Sequence, residues 1–252
     1  MSIREFHITL MGKGGVGKTT VARLLTEWLM GQGRKVSAFD LDPTNPTFSR
    51  ARALGVEAVD IVTGDEIDPR KFDALFEKLA GVKTDVVVDC GAATFRPLLA
   101  YAEDVGMFDM VSEFGFQPII HALISGGADL NDTLQGYDAL ATRFGDSARL
   151  VLWLNPHNGT LEKDGKRYHE WPIIARHVDV TAGYIALPTL DPRTGGADLT
   201  EMFARNMTFG EATDPKSPLG LVTRHRLGRI RDQIFAAIAE QLEDGKTLEA
   251  AE

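Results

Sequence analysis

The sequence contains a single cysteine, Cys90, among its 252 residues. One cysteine excludes a disulfide within the chain, and it excludes a metal cage built from several cysteines of one chain. Cys90 has no basic residue or histidine beside it in the sequence. We therefore expect a small packed side chain at this position rather than a nucleophile.

Long hydrophobic runs are also absent. A transmembrane helix needs at least about 18 consecutive apolar residues, and no such stretch is present. The N-terminus lacks the apolar segment that is typical of a signal peptide. We therefore expect a soluble protein that stays in the cytoplasm, where the reducing conditions suit a lone cysteine.

Positive charge is scarce: the chain has 27 Lys and Arg residues and 36 Asp and Glu residues, which gives a net charge of −9. This balance argues against a basic surface for nucleic acid over the whole protein. One basic cluster lies at the start of a predicted C-terminal helix, about residues 221–243: Arg224, Arg226, Arg229 and Arg231. These arginines do not share one stripe of the helix, so we favour solvated or paired side chains, with contacts to DNA phosphates as the alternative. Glu243 and Asp244 make a membrane anchor unlikely, because acidic charge is repelled by anionic lipids.

Apolar residues make up 44% of the chain, and strand patterns alternate with helix patterns along it. This alternation predicts an α/β fold with a mainly parallel, doubly wound sheet and helices on both faces. We expect one domain over residues 1–252, because no repeat, linker or change of composition divides the chain. The predicted strands are residues 6–11, 36–40, 86–89, 119–124, 150–154 and 184–187. One predicted helix starts near Gly17, and three others cover residues 72–79, 129–144 and 227–242. The polar segments at 155–170 and 191–198 are predicted loops.

A glycine-rich loop follows the first predicted strand. Residues 12–19 read Gly-Lys-Gly-Gly-Val-Gly-Lys-Thr, which is the spacing of a phosphate-binding P-loop between a strand and a helix. Glycines let main-chain N–H groups turn towards a polyanion, and the helix that follows adds its positive dipole end. In this pattern Lys18 reaches the terminal phosphates and the Thr19 hydroxyl binds Mg²⁺. The expected phosphate-binding set is Gly12, Gly14, Gly15, Val16, Gly17, Lys18, Thr19 and Thr20.

Three aspartates come at the ends of predicted strands, where an open parallel sheet binds its ligands. Asp40 and Asp42 end the second strand, and either could orient a water molecule near a terminal phosphate. The alternative for Asp42 is the cap of a following helix that Pro43 would open. Asp89 ends the apolar run Val86-Val87-Val88 and is expected to face the metal ion.

The run Lys13-Gly14-Gly15-Val16-Gly17-Lys18-Thr19-Thr20 resembles the deviant Walker A motif of the ParA/MinD ATPases. The resemblance implies Mg²⁺ with ATP as the bound group. It also implies an ATP-dependent homodimer in which Lys13 crosses to the nucleotide of the partner. Without the resemblance, Lys13 reads as a solvated surface charge.

The same resemblance assigns roles to residues at other strand ends. Asp42 corresponds to an aspartate that assists hydrolysis, and Asp40 to one near the water molecules of Mg²⁺. Asn155 corresponds to an asparagine that contacts adenine, although an Asn-Pro pair also starts a turn. Pro188 corresponds to a strand-end proline beside the base. The segment after Asp89 reads Cys-Gly-Ala where partition relatives commonly have Cys-Pro-Pro, so its course is harder to predict.

Five further runs resemble the branch of this family that is encoded in conjugative-plasmid transfer regions: residues 64–67, 89–92, 120–121 with 126–127, 153–156 and 223–227. This resemblance implies a slow ATPase in plasmid DNA transfer that is associated with type IV secretion and contacts a protein of the transfer machinery. Relatives also bind DNA nonspecifically through basic surface residues. The alternatives are a plasmid partition ATPase, a metabolic ligase or kinase of the dethiobiotin-synthetase type, and a nucleotide-gated binding protein with negligible turnover. A redox role like that of the nitrogenase iron protein is set aside, because it needs two cluster cysteines per subunit.

Overall fold

A parallel sheet of seven strands forms the centre of the protein, for which a computed structural model describes residues 3–242. The strands in chain order are β1 (Arg4–Leu10), β2 (Val36–Asp40), β3 (Glu57–Ala58), β4 (Val62–Thr63), β5 (Glu66–Ile67), β6 (Asp85–Asp89), β7 (Phe116–Ser125), β8 (Arg149–Asn155), β9 (Glu162–Lys163), β10 (Lys166–Arg167) and β11 (Thr181–Ala186). The sheet order is β11-β8-β7-β1-β6-β2-β3, with every neighbouring pair parallel. The other four strands form two short antiparallel hairpins, β4–β5 and β9–β10.

Helices cover both faces of this sheet, as predicted. They are α1 (Lys18–Gly31), α2 (Arg70–Gly81), α3 (Ala92–Val105), α4 (Met107–Glu113), α5 (Leu130–Phe144), α6 (Pro172–Arg176), α7 (Gly195–Ala204), α8 (Phe209–Thr213) and α9 (Leu221–Leu242). The α1 helix packs on β1 and β6, whereas α4 and α5 pack on β7. The α9 helix packs on β11, α7 and α8 through a buried stripe of Leu227, Ile230, Ile234 and Ile238. Within residues 3–242 no helix combines the length and the apolar content that a membrane span requires.

The six predicted main strands and the four predicted helices are all present, with ends that differ by a few residues. The predicted loop at 155–170 is wrong in part, because it contains the β9–β10 hairpin. Asp164 and Gly165 both have positive φ values, 53° and 71°, as a two-residue hairpin turn requires. The predicted loop at 191–198 is also wrong in part, since α7 begins at Gly195. A Cβ on Gly195 would lie 3.2 Å from Ile230, so glycine here serves close helix packing.

The α3 and α4 helices were not predicted. They lie after Asp89, in the segment whose structure was hard to predict from the sequence. Pro97 lies inside α3, and a proline within a segment argues against a helix there. Gly106, with φ of 61°, ends α3 and starts α4. The predicted helix end at residue 243 and the acidic residues that follow it lie outside the described residues.

A row of buried hydrogen bonds crosses three neighbouring strands. The indole N–H of Trp153 on β8 donates to Nδ1 of His121 on β7 at 2.9 Å. An indole can only donate, so Nδ1 of His121 is the acceptor and the proton of a neutral His121 is on Nε2. Nε2 of His121 then donates to Nδ1 of His7 on β1, which lies 3.0 Å away. The proton of His7 is then on Nε2, 3.4 Å from the Glu5 carboxylate. The row therefore runs in one direction, with both imidazoles neutral.

Protonation of His121 would break this row, because its two nitrogens already serve as one acceptor and one donor. Burial lowers the pKa of His121 well below its usual value. The unfolded chain therefore binds a proton below about pH 6.5 that the native protein does not bind. We expect the free energy of unfolding to fall on acidification below about pH 6.5, by up to about 1.4 kcal/mol per pH unit from this group.

Urea unfolding at pH 7.5, 6.5 and 5.5 tests this expectation, with His121→Gln as the matched variant. Burial raises the pKa of Asp89 to about 6, which acts in the opposite direction on acidification but is common to both proteins. The difference in unfolding free energy between wild type and variant should therefore shrink towards acid pH. A difference that stays constant across the three pH values would refute the neutral row.

The loops that follow β7 and β8 touch through their main chains. A Cβ on Gly126 would lie 1.9 Å from the carbonyl oxygen of Gly159, and a Cβ on Gly127 would lie 2.3 Å from that of Asn158. The N–H of Gly126 also donates to the carbonyl oxygen of Asn155 at 3.0 Å. No side chain fits between these loops, so glycine is required for them to close together.

Gly126→Ala should push the two loops apart and lower the free energy of unfolding by at least about 2 kcal/mol. The control is Gly31→Ala, whose added methyl group on α1 meets nothing within 4 Å. Urea unfolding of both variants measures the effect. The close contact is refuted if Gly126→Ala is as stable as this control to within about 0.5 kcal/mol.

Candidate functional site

The glycine-rich loop lies at the carboxyl edge of the sheet, where β1 gives way to α1. Gly15 and Gly17 have φ values of 75° and 103°, which side chains rarely adopt. A Cβ on Gly12 would lie 2.8 Å from the ring of Phe95, which packs beneath the loop. Gly12, Gly14 and Gly15 are exposed, so the main chain of the loop is open to a ligand.

Lys18 is the first residue of α1 and is only 7% exposed. Its ammonium donates to the carbonyl oxygen of Lys13 at 2.8 Å, within the same loop. Burial lowers the pKa of Lys18, although Asp89 opposes this effect. Among the described residues no carboxylate forms an ion pair with it. A buried ammonium with one main-chain acceptor has two further protons to donate, and an anion in the loop would accept them.

Asp89 lies between β1 and α1 and is almost fully buried. One carboxylate oxygen accepts from Thr19 at 2.6 Å, and the other accepts from Thr9 at 2.7 Å. Burial raises the pKa of Asp89 to about 6, while the two hydroxyls lower it. Thr9 did not emerge from the sequence, because only the register of β1 against β6 places it opposite Asp89.

Asp40 and Asp42 have different surroundings at the end of β2. Asp40 is 2% exposed and accepts from the N–H groups of Asp42 and Ser49, at 3.0 and 2.9 Å. Burial raises its pKa, which these hydrogen bonds oppose. Asp42 is half-buried, and its Oδ1 accepts from the N–H groups of Thr44 and Asn45 at 3.0 Å. It caps a turn in this way, whereas the helix after Pro43 that the capping alternative required is not present. The Asp42 carboxylate also lies against Gly91, where a Cβ would come within 2.5 Å of its carbon.

Donors suited to Mg²⁺ thus meet beside the loop: the Thr19 hydroxyl with the Asp89 and Asp40 carboxylates. In residues 3–242, however, no group of three or more His, Cys, Asp or Glu side chains is arranged to hold a metal ion alone. This donor set fits a metal ion that arrives with oxygen ligands from phosphates and water, as Mg²⁺ usually does.

Asn155 ends β8 and reaches the glycine-rich loop directly. Its amide nitrogen donates to the carbonyl oxygen of Val16 at 2.9 Å, and its side-chain oxygen accepts from the N–H of His157 at 3.1 Å. Asn155 therefore both holds the loop and starts a turn, and one amide proton is left for another acceptor. Pro188 is half-buried at the same edge, next to Leu187, whose N–H donates to the carbonyl oxygen of Leu154. The adenine contacts of Asn155 and Pro188 stay predictions.

Lys13 points to α5 rather than to Lys18. Its ammonium lies 3.0 Å from a carboxylate oxygen of Asp129 and 2.9 Å from one of Asp132, two residues that we call the acidic pair. The hydrogen bonds and charges of the acidic pair raise the pKa of Lys13. No local pattern predicts this contact, because more than 110 residues separate Lys13 from Asp129.

Three of the four arginines in the basic cluster of α9 already have partners. Arg226 pairs with Asp198 at 2.5 Å, Arg231 pairs with a neighbouring aspartate at 2.7 Å, and Arg224 donates to two main-chain carbonyls. Arg229 is exposed. These contacts match the favoured paired arrangement, and contact with DNA phosphates stays a prediction.

The chain shares its fold with a solved nucleotide complex. The septum site-determining protein MinD from Pyrococcus horikoshii, in complex with Mg-ADP, matches with a TM-score of 0.52 and 18% identity, over 98% of this chain and 100% of that one. At this identity the likeness concerns the fold alone. A shorter match links 60 residues, or 24% of this chain, to 22% of a cytosolic Fe-S cluster assembly factor NUBP2 homolog of Nematostella vectensis, at 42% identity.

Sequence similarity extends over nearly the whole chain. Protein TraL of Escherichia coli is 36% identical over 244 residues, which cover 97% of this chain and 99% of TraL. The model of the CobQ/CobB/MinD/ParA nucleotide binding domain matches residues 8–248. The chain is thus a TraL-like member of the CobQ/CobB/MinD/ParA nucleotide-binding family, and the ParA/MinD resemblance found in the sequence is confirmed.

Proposed function

We propose that this chain is a slow, partner-regulated switch ATPase that binds ATP with Mg²⁺ and acts in conjugative plasmid DNA transfer. In this proposal ATP closes a dimer and hydrolysis opens it. The observation that carries the proposal is the open glycine-rich loop, with the Lys18 ammonium buried behind it on a main-chain acceptor. Glycine main chain and a buried cation together match the charge and shape of a nucleotide's phosphates.

The residues divide the binding work among them. The loop from Gly12 to Thr20 would surround the phosphates, and Thr19 with Asp89 and Asp40 would face the metal ion. Bound Mg²⁺ supplies charge neutralisation at the phosphate oxygens. Thr9 keeps the Asp89 carboxylate in place beside Thr19. Asn155 fixes the loop through Val16, and it would use its remaining amide proton for adenine.

Lys13 and Asp42 are proposed as the residues that make the site a switch. Lys13 would leave the acidic pair and contact the terminal phosphate of a partner's ATP, so that the dimer forms with ATP and not with ADP. Asp42 Oδ1 holds its own turn, and Oδ2 would be left to orient the attacking water molecule. Catalysis in this proposal consists of positioning and charge neutralisation.

The biological setting is proposed from resemblance. Five runs, at 64–67, 89–92, 120–121 with 126–127, 153–156 and 223–227, resemble the branch of conjugative-plasmid transfer regions, and full-length similarity to TraL supports such a branch. A protein of the type IV secretion machinery would then read the nucleotide state, in the cytoplasm. DNA contact through the arginines of α9 and the single-domain organisation over 1–252 are parts of the same proposal.

Two lysine variants separate nucleotide binding from dimer formation. Lys18→Ala removes the buried ammonium and should weaken Mg-ATP binding at least about tenfold. Lys13→Ala should keep binding within about threefold of wild type, yet it should abolish the dimer that forms with a nonhydrolysable ATP analogue. Calorimetry and sedimentation with ADP, ATP and the analogue measure the two effects.

Lys83→Ala is the control, since this exposed lysine precedes β6 at the opposite edge of the sheet. It should match wild type in both assays. Dimer formation that survives unchanged in Lys13→Ala would overturn the switch and favour the ligase or kinase alternative. The absence of any Mg-ATP binding by folded wild type would overturn the whole proposal.

Gly91→Ala tests the role of Asp42 without changing that residue. The added methyl group would come within 2.5 Å of the Asp42 carboxyl carbon, and the short side chain would have to turn away. We expect ATP turnover to fall at least about tenfold, with Mg-ATP affinity nearly unchanged. Steady-state hydrolysis and calorimetry give the two numbers, and Gly81→Ala is the control because its methyl group meets open space. Wild-type turnover in Gly91→Ala would argue against Asp42 in hydrolysis.

A further inference from the structure

The β9–β10 hairpin is firmly attached at its base. Leu161 packs against the core just before β9. After β10, the indole of Trp171 is 2% exposed and donates to the carbonyl oxygen of Lys166 at 3.1 Å. The main-chain contact between Gly159 and Gly126 holds the same loop against the end of β7. Since a hairpin of two-residue strands is not stable alone, these contacts fix its position.

This hairpin lies beside the segment that holds Lys13. Lys163 on β9 donates to the side-chain oxygen of Asn131 at 2.8 Å. Asn131 comes between the two members of the acidic pair at the start of α5. The hairpin and Lys13 therefore contact neighbouring residues of one short segment. A surface that includes Lys13 would include the hairpin as well.

The hairpin presents two cations outward, Lys166 and Arg167, which we call the hairpin cations. Both residues are exposed, and neither side chain forms an ion pair with a carboxylate in residues 3–242. The acidic pair is also accessible, with side chains of Asp129 and Asp132 that are 23% and 58% exposed. Lys13 contacts both carboxylates, and its single positive charge leaves the pair with one net negative charge. In the register of the hairpin Lys166 lies across from Lys163, and Arg167 lies across from Glu162, so the two cations leave opposite faces of the hairpin. The hairpin itself lies next to the acidic pair through the contact of Lys163 with Asn131.

We propose that the hairpin is part of the contact between two copies of this chain, with the hairpin cations of one copy pairing with the acidic pair of the other. The proposal rests on the proposed ATP-dependent dimer. When Lys13 leaves for the partner's phosphate, the acidic pair loses its cation. In a twofold dimer, residues near the axis face the same neighbourhood of the partner, so each hairpin meets a newly exposed acidic pair. One exchange of ion pairs thereby couples Lys13 release to dimer closure.

Charge reversal tests this exchange in the full chain. Lys166→Glu with Arg167→Glu reverses the hairpin cations, and Asp132→Lys reverses the more exposed member of the acidic pair. Each protein alone should dimerise at least about tenfold more weakly than wild type with Mg²⁺ and a nonhydrolysable ATP analogue. An equal mixture should return to within about threefold of wild type, because only the mixed dimer has opposite charges at both contacts. Sedimentation measures all four samples.

Lys35→Glu with Lys83→Glu is the control, because it makes the same change of charge at the opposite edge of the sheet. This control should dimerise like wild type. The hairpin contact is overturned if the hairpin variant dimerises normally, or if the mixture is no stronger than its components. It is likewise overturned if sedimentation with added DNA shows that the hairpin variant has lost DNA binding while its dimer formation is unchanged. A wild type that forms no dimer with the analogue defeats the proposed function itself, which is a distinguishable result.

Discussion

The buried carboxylate of Asp89 ties together the three elements on which the candidate site depends. Thr9 reaches it from β1 and Thr19 reaches it from α1, while Asp89 itself ends β6. A buried carboxylate is unfavourable unless its oxygens accept hydrogen bonds, so this arrangement holds only while both hydroxyls stay in place. The glycine-rich loop joins β1 to α1 and is therefore fixed at both ends. Its glycines can then adopt unusual backbone angles without the loop losing its position.

Lys13 is held beside this fixed site by its ion pairs with the acidic pair. Ion pairs between partly exposed side chains stabilise a protein only weakly, because water and salt screen them. In the proposed dimer, a terminal phosphate on the partner would therefore compete for the ammonium. An equally exposed lysine without these acceptors would have no resting position, and a deeply buried one would not move. The geometry thus suits a residue that changes partner with nucleotide state.

The sequence predicted those parts of the site that lie within one local pattern. Glycine spacing identified the loop, and the ends of apolar strands identified Asp40 and Asp89. It could not reveal Thr9, because its partner depends on which strands are neighbours. It could not reveal the acidic pair either, because Lys13 meets it across more than 110 residues. Asn155 shows the difference between local and long-range features. Its position at a strand end was predictable from the sequence, but its hydrogen bond to Val16 was not.

The row from Trp153 through His121 to His7 helps to keep these distant parts aligned. The burial pattern of the strands already favours one register, because a slip by one residue would turn every side chain to the other face. Each of the two hydrogen bonds in the row pairs one donor with one acceptor, so a slip of either neighbouring strand would also leave further buried nitrogens without a partner. β1 leads into the glycine-rich loop, β7 into the acidic pair and β8 into Asn155. These side-chain hydrogen bonds therefore add to the main-chain pairing that holds the parts of the site in place.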